Sequence, residues 1–204
     1  IRKVKEITSK LSVSSRLDTT FIFPYSENKI KKRDEIWSNL QKGILLEDKK
    51  ILIPWKTQFN QLNKYAEKRK DRADRTEWYL GKHKILDGYE SHLETKMWCY
   101  LPWKNPMTEI SENIGADSNG NNKFIELKEK ITDLLGEPTK IELEKFGSFD
   151  LGVIQWNKGK IQISLIGIEH FNCRYSLKIG LIEDENEEYF NKSIDNLKAQ
   201  GLTE

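Results

Sequence analysis

Little in this 204-residue chain is suited to metal or covalent chemistry. It has two cysteines, two methionines and three histidines. Two cysteines, Cys99 and Cys173, are too few for a secreted disulfide scaffold, and they read as reduced thiols of a cytoplasmic protein. Structural zinc sites use cysteine or histidine pairs two to five residues apart, and His83, His92 and His170 form none. His83, Asp87 and His92 would meet only if a hairpin folded them together, so no metal ligand is assigned. Apolar runs are short, nowhere near the roughly 18 residues of a membrane span, and no membrane partner is expected. The opening IRKVKEITSK lacks the apolar stretch of a secretory leader, although a first residue of Ile leaves room for a leader removed upstream.

Catalytic motifs are missing too. The chain has no G-x-S-x-G elbow, and Gly147-Ser148 lacks the second flanking glycine. His170 and Cys173 are three apart at the start of a strand, which turns their side chains to opposite faces, so Cys173 reads as buried and structural. Neither phosphate-binding glycine motif is present, and Asp117 in the Gly115–Gly120 loop would repel phosphate. A metal-dependent nuclease needs two acids and a lysine on adjacent strands. Asp150 with Lys158 puts the lysine one position too far along, and Glu126-Leu127-Lys128 lies mid-helix. No catalytic residue and no cofactor is assigned, and the chain leans away from being an enzyme.

What it does have is aromatic and charged. Six Trp, seven Tyr and eight Phe argue for a packed core. The net charge of +2 conceals a division: residues 1–104 carry 23 Lys and Arg against 14 Asp and Glu, a net +9, and residues 105–204 carry 11 against 18, a net −7. Five of the six tryptophans (Trp37, Trp55, Trp78, Trp98 and Trp103) fall in the basic half. The segment Lys64–Lys84 mixes eight basic and four acidic residues with aromatics. Lys68, Arg69, Lys70, Arg72 and Arg75 could meet phosphates while Trp78 and Tyr79 stack on bases, as in single-strand binders. The plainer reading of that segment is a solvated helix end with charges paired along it. In the acidic half, Glu183, Asp184, Glu185, Glu187 and Glu188 either complement the start of a helix or face a basic partner.

Apolar spacing predicts an α+β fold, with antiparallel sheet packed by amphipathic helices. The second half reads as helix, β-meander, helix: a helix from Phe124 capped by Asn121 or Asn122, strands Thr139–Leu143, Phe149–Trp156, Lys160–Ile168 and Tyr175–Leu181, then a helix over Glu187–Gln200. In the first half, Thr19–Phe23 is a strand, Asn28–Leu40 a helix, and Ile44–Leu46 with Ile51–Ile53 a hairpin. Thr57 caps a helix burying Phe59, Leu62 and Ala66, and Trp78–Leu80 with His83–Leu86 form a hairpin about Gly81-Lys82. Glu94–Leu101 is a further strand. The Gly/Asn/Ser-rich Ser111–Asn122 is expected to be a loop or linker between a basic lobe, 1–110, and an acidic lobe, 123–204, with one continuous domain as the alternative. No internal repeat emerges, although a helix, a glycine and a strand ending in Trp (Trp55, Trp156) occur in both halves.

The order in the second half is an amphipathic helix, a Leu135-Gly136-Glu137-Pro138 stop, a strand ending in Trp156, a hairpin and a strand. Over about 80 residues it is similar to small bacterial α+β proteins, among them immunity proteins that neutralise secreted toxins. The resemblance also takes in proteins with no known role and carries no site residue across; the missing catalytic sets, the oppositely charged halves and the many Trp and Arg are what point to binding. The expectation is therefore a non-enzymatic protein that binds a macromolecule, most simply another protein. Glu183, Asp184, Glu185, Glu187, Glu188, Trp98 and Trp103 are its candidate contacts. The alternatives are nucleic-acid binding or nuclease action through residues 64–84, an enzyme whose site is assembled from distant Asp, Glu and His residues, and a protein with no recognisable site. Oligomeric state is not legible.

Overall fold

A computed structural model describes residues 24–98, 106–170 and 172–182. The fold class differs from expectation: the protein is mostly β, with 51% strand and 27% helix among the described residues, rather than a helix–meander–helix α+β fold. Helix α1 (Pro24–Lys42) is followed by a hairpin of β1 (Gly43–Leu46) and β2 (Ile51–Pro54) and a short 3₁₀ turn at Phe59–Lys64. Four antiparallel strands come next: β3 (Lys68–Asp71), β4 (Arg75–Ile85), β5 (Tyr89–Trp98) and β6 (Glu109–Gly115). Helix α2 (Ser118–Leu135) leads into a second set of four, β7 (Lys140–Phe146), β8 (Phe149–Lys158), β9 (Ile161–His170) and β10 (Asn172–Leu181). The eight strands make one sheet in the order β3-β4-β5-β6-β10-β9-β8-β7.

That order is a palindrome. Each half contributes a helix and a four-stranded meander, and the meanders join edge to edge through the antiparallel pair β6/β10, where Ser111 faces Lys178. The repeat that sequence comparison misses is thus present in the topology. Ser111–Asn122 is not a linker: Ser111–Gly115 is part of central strand β6, and Asp117 caps α2 by accepting from Gly120 N at 3.0 Å. One sheet therefore runs through both halves. The expected strand at Thr19–Phe23 and helix at Glu187–Gln200 lie outside the described residues.

The core lies between the helices and one face of the sheet. Along α2, Phe124, Leu127, Ile131 and Leu135 recur at helical spacing and are buried. They meet alternate strand residues such as Ile154, Trp156, Ile163, Leu165, Tyr175, Leu177 and Ile179. The two tryptophans noticed in the sequence do matching work. Trp55 Nε1 donates to Leu40 O at 2.6 Å and Trp156 Nε1 to Gly136 O at 3.0 Å, so each satisfies a carbonyl at the end of a helix. Trp156→Phe keeps most of the buried ring and removes that donor. It is expected to cost about 1–2 kcal/mol in urea unfolding; no change in midpoint would deny the bond any role.

Opposite net charges do not hold the halves together. Among the described residues two ion pairs cross between them, Lys29–Asp133 and Lys158–Asp34, and all four side chains are well exposed. Such pairs are each worth roughly 0–1 kcal/mol. Among the described residues, no helix is long and apolar enough to cross a membrane.

Candidate functional site at the sheet edges

An antiparallel sheet whose two ends do not meet has two edges, each a row of backbone groups without a ladder partner. Among the described residues they are β3 and β7.

At the β3 edge, Lys64–Lys84 is not a helix end but a 3₁₀ turn and a β-hairpin, closed by Arg72 N donating to Arg75 O at 2.8 Å. Nor is there a hairpin about Gly81-Lys82, because β4 runs straight through to Ile85 with a bulge between Tyr79 and Gly81. Lys68, Arg69 and Lys70 lie on β3, Arg72 follows in the turn, and Arg75, Trp78 and Tyr79 lie on β4.

The arginines are engaged with acids. The Glu77 carboxylate, 3% exposed, accepts from Arg72 Nε at 3.0 Å, Arg75 Nε at 2.7 Å and Tyr79 OH at 2.6 Å. Burial alone would raise its pKa; the bonds from Tyr79, Arg75 and Arg72 reverse that and hold it at about 2. The same contact raises the Tyr79 phenol, with burial adding to it. Arg69 pairs with Asp71 at 2.9 Å, and Thr76 Oγ1 also donates to that carboxylate. The Trp78 ring is 2% exposed, stacks on Phe59 and donates to Asn63 Oδ1 at 2.9 Å. A ring held this way has no face left for a base. The arginines of this hairpin are thus taken up by its own acids, and this weakens the nucleic-acid reading.

The remaining candidates are not brought together. Trp98 is the last residue of β5, while Trp103, Glu183, Asp184, Glu185, Glu187 and Glu188 lie outside the described residues. His83 and His92 point to opposite faces of the sheet, since Ser91 pairs with His83 and Lys82 with His92. Buried His83 bonds Asp48 through Nδ1 at 2.9 Å and Leu80 O through Nε2 at 2.9 Å. The hydrogen bond from His83 lowers the Asp48 carboxyl below its usual range, and this pair fastens the β1–β2 hairpin over β4. Among the described residues no group of three or more His, Cys, Asp or Glu is arranged to hold a metal ion. Cys173 is buried.

The second edge is different. All seven residues of β7 pair with β8 on one side, Lys140 with Gln155 through to Phe146 with Phe149. On its other side β7 has no strand among the described residues, and every residue of it but Leu143 is exposed. Ile141 is 55% and Phe146 50% exposed. By register Ile141 continues the core row Ile154–Leu165–Leu177, but it lies beyond the cover of the helices.

Gly152 shapes this end of the sheet. At φ +121° it is in a conformation that side chains rarely adopt, and a Cβ there would collide with Glu142 O. Pairing between β8 and β9 stops at Gly152 opposite Gly167. Beyond it the β7–β8 hairpin leans toward α2, and Asp150 N donates to Asn121 Oδ1 at 3.1 Å. Ile168, past the end of that ladder, is 51% exposed. Three of the large exposed apolar side chains thus lie on the β7–β9 side of the sheet, Ile141 on the helix-bearing face and Phe146 on the other. The sequence reading ended this strand at Leu143 because Glu144-Lys145 broke the apolar run.

No family model, curated protein or solved structure matches this chain.

Proposed function

We propose that this is a protein-binding module whose contact surface is the β7 edge, where a protein partner adds an extended strand. The observation that carries this reading is a seven-residue edge strand that carries exposed Ile141 and Phe146. In strand addition the backbone supplies affinity and alternate side chains supply selectivity, and β7 offers both. Natural edges are usually short, charged or covered. The four-residue β3, all Lys, Arg or Asp, fits that pattern; β7 is longer and carries apolar residues among its charges. A role of the immunity or adaptor kind, in a reducing compartment such as the cytoplasm where buried Cys173 remains a thiol, accords with this surface.

The test is selection of extended peptides from a random displayed library, followed by hydrogen exchange on the protein with a selected peptide bound. Added protection is expected at residues 140–146, with β3 unchanged. Protection confined to β3 or to residues 64–84 would reject the reading in favour of the basic hairpin.

A further inference from the structure

We infer that the partner strand at the β7 edge is β7 of a second copy of this chain, in one register; this inference rests on the edge-binding reading above. Two identical strands that join antiparallel in one continuous ladder are related by a two-fold axis normal to the sheet. That axis keeps the helix-bearing faces on the same side, and residues directly opposite each other share a face. Ile141, Leu143 and Lys145 lie on the helix-bearing face, and Lys140, Glu142, Glu144 and Phe146 on the other. Each residue can therefore oppose only members of its own set, which leaves a few registers.

Full overlap sets Glu142 against Glu144 of the partner subunit twice and Ile141 against a lysine. Like charges directly opposite are unfavourable, so this register is disfavoured. Sliding toward the C-terminal end sets Leu143 against a lysine and Glu142 against a phenylalanine. Sliding the other way satisfies the edge. Lys140 then meets Glu144 of the partner subunit, and Ile141 meets Leu143 of the partner subunit. The axis repeats both pairs, and only Glu142 faces its own counterpart. Lys140 and Glu142, 47% and 62% exposed, already touch at 3.0 Å, so each lysine also shields that central pair of carboxylates.

The charges that would protect this edge against strangers are thus arranged to accept a copy of itself. The join would repeat the one that the chain makes internally at β6/β10.

Sedimentation velocity across protein concentration tests the inference. The wild-type chain is expected to form a reversible dimer. Lys140→Glu should weaken it at least tenfold, and Lys140→Glu with Glu144→Lys should restore it, since the swap rebuilds both pairs with inverted sign. Glu142→Gln should tighten the dimer by removing the one repulsion. All three positions are exposed, so unchanged circular dichroism and unfolding midpoint in each variant separate association from folding. A monomer at every concentration, growth beyond dimers, or a double variant as weak as Lys140→Glu alone would overturn the inference. If the chain stays monomeric while selected peptides still protect residues 140–146, the edge-binding reading stands and only the identity of its partner falls.

Discussion

Glu77→Gln is expected to lower stability at pH 7 by about 3 kcal/mol, following from a carboxylate held at about 2 against an ordinary value of 4.5. The folded-state pKa is depressed, so this contribution is complete above the unfolded value. It fades as pH falls from about 4.5 toward 2. Wild type and variant should accordingly differ most at neutral pH and converge near pH 2, as measured by urea unfolding at a series of pH values. The physical reason is the position of Glu77, 3% exposed between Arg72 and Arg75. Removing one member of a buried charged group strands the others, which is more damaging than never having built it. A constant difference across that pH range would mean that Glu77 is already protonated or unpaired, and the hairpin would need another source of order.

The other large effect is expected at Gly152→Ala. The new Cβ must enter a backbone conformation that disfavours it and collide with Glu142 O. Strain and overpacking of this kind cost on the order of 1–3 kcal/mol each, so about 3–5 kcal/mol is expected together. The damage should be local. Because the collision falls on β7, hydrogen exchange should speed up across residues 140–146 first, while the β4–β5 ladder at the other end keeps its protection. Loss of stability spread evenly over the sheet would contradict this account.

Much of the second half was readable because its signals are local. Helix α2 shows its stripe, β9 alternates Ile161, Ile163 and Leu165 inward, and the β8–β9 turn is marked by Gly159. The first half misled where the pattern changes phase. On β4 the core-facing positions run Thr76, Trp78 and Leu80, then His83 and Ile85, because the bulge at Leu80 shifts the register by one. A strand that changes phase looks like two strands and a turn. On β6 the inward positions are Ile110, Glu112 and Ile114, and a carboxylate in the middle hid the strand. Its cover comes from far along the chain: Tyr89 OH and Ser91 Oγ both donate to Glu112 at 2.9 Å. A sequence window around residue 112 does not contain those donors. The candidate site was hard to see for a related reason. Edge strands carry charge as protection, so β7 resembled the start of a loop from Glu144 onward, and the basic residues 64–84 drew notice although their arginines are paired with Asp71, Asp74 and Glu77.

The β6/β10 seam also determines the order of events while the chain is made. Ser111 and Lys178 face each other from about 67 residues apart, whereas β4–β5 and β8–β9 close within short hairpins. Contacts between distant residues form late because the intervening chain must first be ordered. In synthesis the first meander is finished while β10 is still untranslated. At 5–20 residues per second the outer side of β6 waits, on the order of several seconds, for its partner. Exposed Glu109, at the start of β6, is placed for that interval. Its negative charge gives the waiting strand the kind of protection that discourages pairing with a neighbouring chain on the polysome before its own last strand arrives.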